Sequence, residues 1–260
     1  MENKRHITIY TVTHKPVDLS ALKLDSCYQL IRVGPYAKDE NSDLTADNTG
    51  DNISEKNPNY CELTAHYWMW KNDRSDIIGL CHYRRYFTES SLSEDTSHIL
   101  SQKTIEETLQ KYDIILPYRP VARRTVKQIY LDFGFEKDLD NLRAVISEKY
   151  PDFVADYDTV MNQHSNYPAN MLICSKKLFD AYSAWLFDIL FEVEKRTDLT
   201  GYTPQQARIY GFMSERLLEV WVRHKQLRIK HYRWLNTEKD YAMKAKALDI
   251  LSIAMNPFKH

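Results

Sequence analysis

Seven residues, Ile7-Thr8-Ile9-Tyr10-Thr11-Val12-Thr13, constrain the fold of this chain more than any other stretch. They form a β-branched run that reads as a buried first strand. The run ends at His14-Lys15-Pro16, because proline has no N–H with which to extend a ladder. A second apolar piece, Tyr28 to Val33, stops at the turn signal Gly34-Pro35. Asp76 to Cys81 and Asp113 to Leu116 are further short strands, the last stopped by Pro117. Between them, the aromatic-crowded segment Asn59 to Asn72 and the amphipathic Thr104 to Tyr112 read as helices. Strand and helix alternate, which predicts an α/β fold with a mainly parallel sheet flanked by helices.

The second half reads as mostly helical. Ala169 to Cys174 is one more candidate strand. Ser175 suits a helix cap before Leu178, Tyr182, Trp185, Leu186, Ile189, Leu190 and Val193, which recur at helical spacing. Thr203-Pro204-Gln205-Gln206 combines a capping box with proline at the first helical position. Behind it Ile209, Phe212, Met213, Leu217, Val220 and Trp221 line one face. No composition break or repeat divides the 260 residues, so a single domain over 1–260 is expected. With 43% hydrophobic residues, a chain this long buries enough core to fold without disulfide or metal.

The 35 Lys and Arg against 36 Asp and Glu leave a formal charge of -1, which argues against a general nucleic-acid binder. Cys27, Cys61, Cys81 and Cys174 are too scattered for a disulfide framework or zinc site and fit a reduced, cytoplasmic setting. No apolar stretch has the length of a signal peptide or a membrane span. The expectation is a soluble protein, at most peripheral to a membrane.

Candidate chemistry concentrates where strands end, since open α/β sheets bind ligands beyond the carboxyl ends of their strands. His82-Tyr83-Arg84-Arg85-Tyr86 should occupy such a place. Two arginines offer donor forks for phosphate oxygens, and the tyrosines offer stacking faces. The same residues also read as a solvated basic turn. Thr13, His14 and Lys15 end the first strand, where a nucleotide contact is usual in such sheets. The polar loop Asp47 to Asn57 holds Asp51, Asn52 and Glu55, as sugar ligands or as a plain turn with local Asx bonds. Glu215, among apolar neighbours, is a candidate general base, or else an ion-pair partner of Arg208 or Arg216. Asp138-Leu139-Asp140 and Asp156-Tyr157-Asp158 sit in helix-like settings, so no Asp-x-Asp metal motif on a strand end is found. Neither a Gly-x-Gly-x-x-Gly fingerprint nor a P-loop is present, which weakens dehydrogenase and NTPase readings. Lys225 to Trp234 interleaves bases and aromatics. It reads as an edge strand, or as an RNA or anionic-membrane contact. Tyr241 to Met255 is amphipathic and would dock on the core or on lipid.

Several blocks together resemble a known family. Thr49-Gly50-Asp51-Asn52-Ile53-Ser54, Asn59-Tyr60-Cys61-Glu62-Leu63-Thr64 and Gly79-Leu80-Cys81-His82-Tyr83-Arg84-Arg85-Tyr86-Phe87 are similar to domain-of-unknown-function family 4422. So are Asn170-Met171, Trp185 to Phe191 and Gly211 to Leu217. The resemblance runs from about Ile7 to Val222. One departure is Gly134, where the family pattern has a histidine.

The resemblance implies a GT-A-like glycosyltransferase of bacterial capsule, exopolysaccharide or O-antigen synthesis, some members being galactofuranosyltransferases. It implies a UDP-sugar donor, with galactofuranose or galactose as the sugar, and a lipid-linked saccharide acceptor at the inner face of the plasma membrane. Residues 1–120 would form the nucleotide-sugar part and 121–260 the acceptor part. On this reading Thr13, His14, Lys15, Gly34, His82, Tyr83, Arg84 and Arg85 face the donor. Asn52, Glu55, Asn170 and Arg208 face the acceptor, and Glu215 or Asp51 is the base. No cofactor is expected, since arginines and His82 would neutralise the diphosphate in place of Mn²⁺ or Mg²⁺. The competing reading is a non-catalytic saccharide- or RNA-binding module.

Overall fold

The structure, a computed structural model, describes residues 5–90 and 95–238. Strand β1 (Ile7–Thr13) is buried along its whole length. Its alternate residues serve two cores: Tyr10 and Val12 face the main helical core, while Ile7 and Ile9 join a smaller cluster on the other side. That double burial explains the unbroken β-branched run, since a strand covered on both faces has no polar side.

Beside β1 lie β2 (Tyr28–Arg32) and, beyond it, β3 (Thr45–Ala46), all parallel. A short helix α1 (Asn57–Tyr60) breaks at Cys61, and α2 (Leu63–Asn72) then runs back under the sheet. The single helix expected over Asn59 to Asn72 is therefore two, because Cys61 takes a φ of 53° that no helix continues.

Strand β4 (Ile77–His82) returns parallel to β1. Gly79 lets it pass between neighbours: a Cβ there would come within 2.7 Å of Ile173 Cγ1 and 2.8 Å of Ile9 Cδ1. After a turn at Tyr83-Arg84 comes β5 (Arg85–Thr88), antiparallel to β4. Next are α3 (Gln102–Leu109) and β6 (Ile114–Pro117). The helical half follows, with α4 (Val126–Tyr130), α5 (Glu136–Lys149) and α6 (Val154–Asn162). Then come β7 (Leu172–Ser175), α7 (Lys176–Arg196), α8 (Ile209–His224) and β8 (Ile229–Asn236).

Local signals hold at the helix starts. Ser175 Oγ accepts from Leu178 N at 3.3 Å, and Thr203 and Gln206 bond reciprocally before a 3-10 turn that leads into α8. The long α7, 21 residues, lays its apolar stripe in the main core with α2, α5 and α8.

The fold is α/β, but its sheet is mixed rather than mainly parallel. Pairings β1–β2, β1–β4, β2–β3 and β6–β8 are parallel; β4–β5, β4–β7, β5–β8 and β6–β7 are antiparallel. The tight turn at Tyr83-Arg84 sends the chain straight back beside β4, which no crossover helix intervenes to prevent. The sheet closes on itself through β4, β5, β8, β6 and β7. Strand β8, expected as an edge, is paired on both sides, by β5 and β6. The amphipathic segment Tyr241 to Met255 lies outside the described residues.

Closure has one consequence for function. Strands β1, β4, β6 and β8 point the same way, while β5 and β7 run against them. One rim therefore gathers the ends of β1, β4, β6 and β8 with the starts of β5 and β7.

Candidate functional site

At that rim Thr13 ends β1, its Oγ1 donating to Lys15 O at 2.5 Å to bend the chain outward. The Tyr83 N–H donates to Val12 O at 3.1 Å, so the β4–β5 turn packs on the β1 exit. His14 meets the Tyr83 ring edge-on at 5.6 Å, and Lys15 Nζ lies 5.0 Å over the same ring. Arg84 bonds Glu238 at 2.9 Å, and Glu238 also accepts from Tyr83 Oη at 3.2 Å and lies 3.6 Å from Lys15 Nζ. The hydrogen bond from Arg84 leads the effects that hold the Glu238 carboxyl below its ordinary range.

Deeper in, the turn before β7 holds Ala169 and Asn170, both at positive φ (63° and 52°). Two such residues in succession without glycine are strained, and surrounding bonds must hold them. His82 Nε2 lies 2.7 Å from Ala169 O, and the Ala169 N–H donates to Glu215 Oε1 at 2.8 Å. A carbonyl only accepts, so His82 carries its proton on Nε2. Burial, with Arg85 and Arg84 nearby, holds the His82 pKa down to about 4. The ring is neutral near pH 7, and its Nε2–H is spent on the Ala169 carbonyl, where it clamps a strained turn.

Glu215 Oε2 accepts from Arg216 Nη1 at 2.9 Å, the guanidinium being 2% exposed. The ion-pair reading of Glu215 thus holds for its neighbour Arg216, not for Arg208. Burial still pushes the Glu215 carboxyl up, with the negative Glu62 adding to the rise. Behind them, Arg216 lies over the rings of Tyr130 and Phe133. Gly134 packs flat on Tyr130: a Cβ would be 2.4 Å from its ring, so a histidine has no room there.

Asn170 Nδ2 donates to Glu62 Oε1 at 2.8 Å, and Asn170 Oδ1 accepts from Ser214 Oγ at 2.9 Å. Burial raises the Glu62 carboxyl as well, against the pull of Asn170, Arg208 and Arg85. Arg208 donates to Cys61 Sγ at 3.0 Å and interacts electrostatically with His14, Glu62 and Glu215. His14 is held below its ordinary pKa by partial burial and by Lys15, Arg84 and Arg208.

The rim therefore unites Thr13, His14, Lys15, His82, Tyr83, Arg84, Arg85, Asn170, Arg208 and Glu215. Glu62, Cys61 and Glu238 complete it, and no residue-level argument had picked them out. Other expected residues lie elsewhere. Asp51 accepts from Tyr67 Oη at 3.2 Å, and its backbone bonds Asn72 at the far end of α2. Ten helical residues, about 15 Å, separate that end from Glu62. Asn52 closes a local turn through Gly50 O and Ser54 N, and the exposed Glu55 pairs with Lys38. Glu55 lines a groove of about 750 Å³ beside β3 with Arg32, Thr49 and Trp68. Gly34, at φ 59°, sits against Asn57, whose amide bonds Cys61 O and Thr64 Oγ1, one layer behind the rim.

The two Asp-x-Asp pairs lie on helices, as expected. Asp138 accepts from Tyr202 and Phe135; Asp156 pairs with Arg223 and His224, and Asp158 with Arg143. Among the described residues no three His, Cys, Asp or Glu converge into a ligand set. All four cysteines are free, and no described helix is long and apolar enough to cross a membrane.

The rim of this α/β chain thus sets the basic Arg208 and Arg216 beside the buried carboxylates Glu62 and Glu215. Residues 8–226 match the family described as a domain of unknown function, DUF4422, and the chain belongs to that family. Among solved structures it is similar to the apo structure of the bifunctional glycosyltransferase WbbM. The match has 30% identity and a TM-score of 0.80, and covers 90% of this chain and 45% of that one. The chain thus spans under half the length of that relative. No curated protein matches.

Proposed function

We propose that this protein is a nucleotide-sugar-dependent glycosyltransferase whose active site is the rim. One observation carries the reading: Lys15, Arg84, Arg85 and Arg208 converge beside two carboxylates raised by burial, Glu62 and Glu215. Glycosyl transfer needs both parts, fixed positive charge for the departing diphosphate and a proton acceptor for the incoming hydroxyl. The likeness to WbbM supports the class. The donor in this reading is a UDP-sugar, galactofuranose or galactose, with Tyr83 and His14 offering ring faces to the nucleotide. The acceptor is a lipid-linked saccharide of capsule, exopolysaccharide or O-antigen assembly, met at the cytoplasmic membrane face by a peripheral enzyme. Asn170 and Arg208 stand on the acceptor side. The four basic side chains take the diphosphate charge, so activity persists in EDTA.

Thermal shift against UDP, UDP-galactose, UDP-galactofuranose and NAD, with and without Mn²⁺, tests this. Binding of the UDP compounds to the folded state raises Tm, by mass action. A rise with NAD alone, or no response to any UDP compound, contradicts the proposal.

A further inference from the structure

We infer that Glu62 is the catalytic base that takes the acceptor's proton, and that Glu215 and His82 are positioning residues that hold it in place through Asn170. The inference rests on the nucleotide-sugar reading of the rim. Three carboxylates stand there, and their hydrogen bonds separate them. Both Glu238 oxygens are engaged, by Tyr83 and by Arg84. Both Glu215 oxygens are engaged, by the Ala169 N–H and by Arg216. Glu62 spends Oε1 on Asn170, and beyond that its carboxylate meets only its own backbone N–H, so no other described residue donates to Oε2. A base needs an oxygen open to the incoming hydroxyl; among the three, only Glu62 has an oxygen to which no other described residue donates.

Its setting is built from behind. The His82 ring and the Glu215 carboxylate grip the two faces of the Ala169 peptide environment, carbonyl and N–H respectively. That grip holds Asn170 in its left-handed conformation. Ser214 Oγ fixes the Asn170 amide by donating to Oδ1, which turns Nδ2 toward Glu62. Asn170 Nδ2 also reaches Gly211 O at 3.3 Å, tying the amide to α8. The conformation of Glu62 is therefore set through Asn170 by His82, Glu215 and Ser214 behind it.

The step balances as follows. The acceptor hydroxyl gives its proton to Glu62 Oε2 while its oxygen forms the new bond to the anomeric carbon. The anomeric carbon–oxygen bond to the diphosphate breaks, and its electron pair leaves with the nucleoside diphosphate. Lys15, Arg84, Arg85 and Arg208 hold the charge that develops there. Glu62 later returns its proton to water. Burial keeps the Glu62 carboxyl above its ordinary range, which brings its basicity nearer to working pH.

Glu62→Gln tests this well, because the amide oxygen still accepts from Asn170. UDP binding is followed by calorimetry, and UDP release from UDP-galactose and UDP-galactofuranose is followed with octyl β-galactoside as acceptor. Glu62→Gln should bind UDP within about threefold of wild type and lose about 100-fold or more in kcat, with the acid limb of the kcat/KM profile gone. Sodium formate should restore part of the turnover of Glu62→Ala and none of Glu215→Ala. If Glu62→Gln does not fold, Glu62→Asp serves: it should keep the acid limb at reduced kcat, and a wild-type kcat there overturns the assignment. A folded Glu62→Gln with wild-type kcat, or formate rescue of Glu215→Ala instead, also overturns it while leaving the transferase reading intact. Wild-type protein that neither binds UDP nor releases it from either donor overturns that reading, and this assignment with it.

Discussion

Arg84 and His66 show how differently two polar side chains can serve one chain. Arg84 is partly exposed at the rim and bonded to Glu238. Removing it should leave the core intact and subtract charge only where the diphosphate departs. Arg84→Ala is expected to reduce kcat about 100-fold, the scale of losing one preorganised donor, with Tm within about 2 °C of wild type. Steady-state kinetics beside a melting curve checks both halves. His66 is the opposite case, 1% exposed and stacked on Phe179. Ser183 Oγ donates to Phe179 O, so its oxygen accepts from His66 Nε2–H at 2.8 Å, and Nδ1 is left without a partner. Burial alone drives the pKa of this ring down to about 3. Because the folded value lies below the unfolded one, neutral His66 stabilises fully above about pH 6.5. That contribution is lost progressively as pH falls toward the folded value, in total on the order of 5 kcal/mol. Chemical denaturation at pH 7 and pH 4.5 should show the loss, and His66→Gln should make the slope shallower. Equal slopes in both proteins would remove His66 as the cause.

At the scale of elements, the closed arrangement of β4, β5, β8, β6 and β7 depends on Gly79. Gly79→Ala would press a methyl group against Ile9 of β1 and against Ile173 and the Leu172 carbonyl of β7, all on the two neighbouring strands. Overpacking of this kind costs about 1–3 kcal/mol, so a lower denaturant midpoint with unchanged m-value is expected. An unchanged midpoint would mean that the strands move apart freely. This element also shows what a linear reading reaches. The double burial of β1, the cap at Ser175 and the strand leading to His82 were legible because each depends on local periodicity or local turn chemistry. The pairing of β8 with β5 and β6 was not, because partners such as Phe87 and Trp234 are distant in sequence and alternation says nothing about which edge a strand fills. Much of the rim was legible for the same local reasons, since Thr13 and His82 end apolar runs. Glu62 was hidden by the helix break at Cys61, whose positive φ has no glycine or asparagine to announce it. Asp51 looked near the site in a polar loop, but α2 carries it about a helix length away.

For the whole molecule, the rim couples ligand binding to the ends of several strands at once. β1 enters through Lys15, the β4–β5 turn through Arg84, and the residue beyond β8 through Glu238. The Thr237 N–H donates to Arg84 O at 3.0 Å, which ties the last described residues to the same turn. A diphosphate seated on Lys15 and Arg84 must exchange with the Glu238 carboxylate. Glu238→Gln should therefore tighten UDP binding, by about threefold to tenfold at low salt, with the gain shrinking as salt screens it. Weaker binding would show that Glu238 orders the cations instead of competing with a ligand.

The central claim is that this rim transfers a sugar from a nucleotide donor. Its most direct test is the time course of UDP release by the purified protein supplied with UDP-galactose or UDP-galactofuranose and octyl β-galactoside, run beside Arg84→Ala. The account predicts release from at least one donor together with a glycosylated acceptor, both reduced about 100-fold in the variant. Release that is equal in the two proteins, or UDP binding with no glycosylated product from either donor, would contradict it.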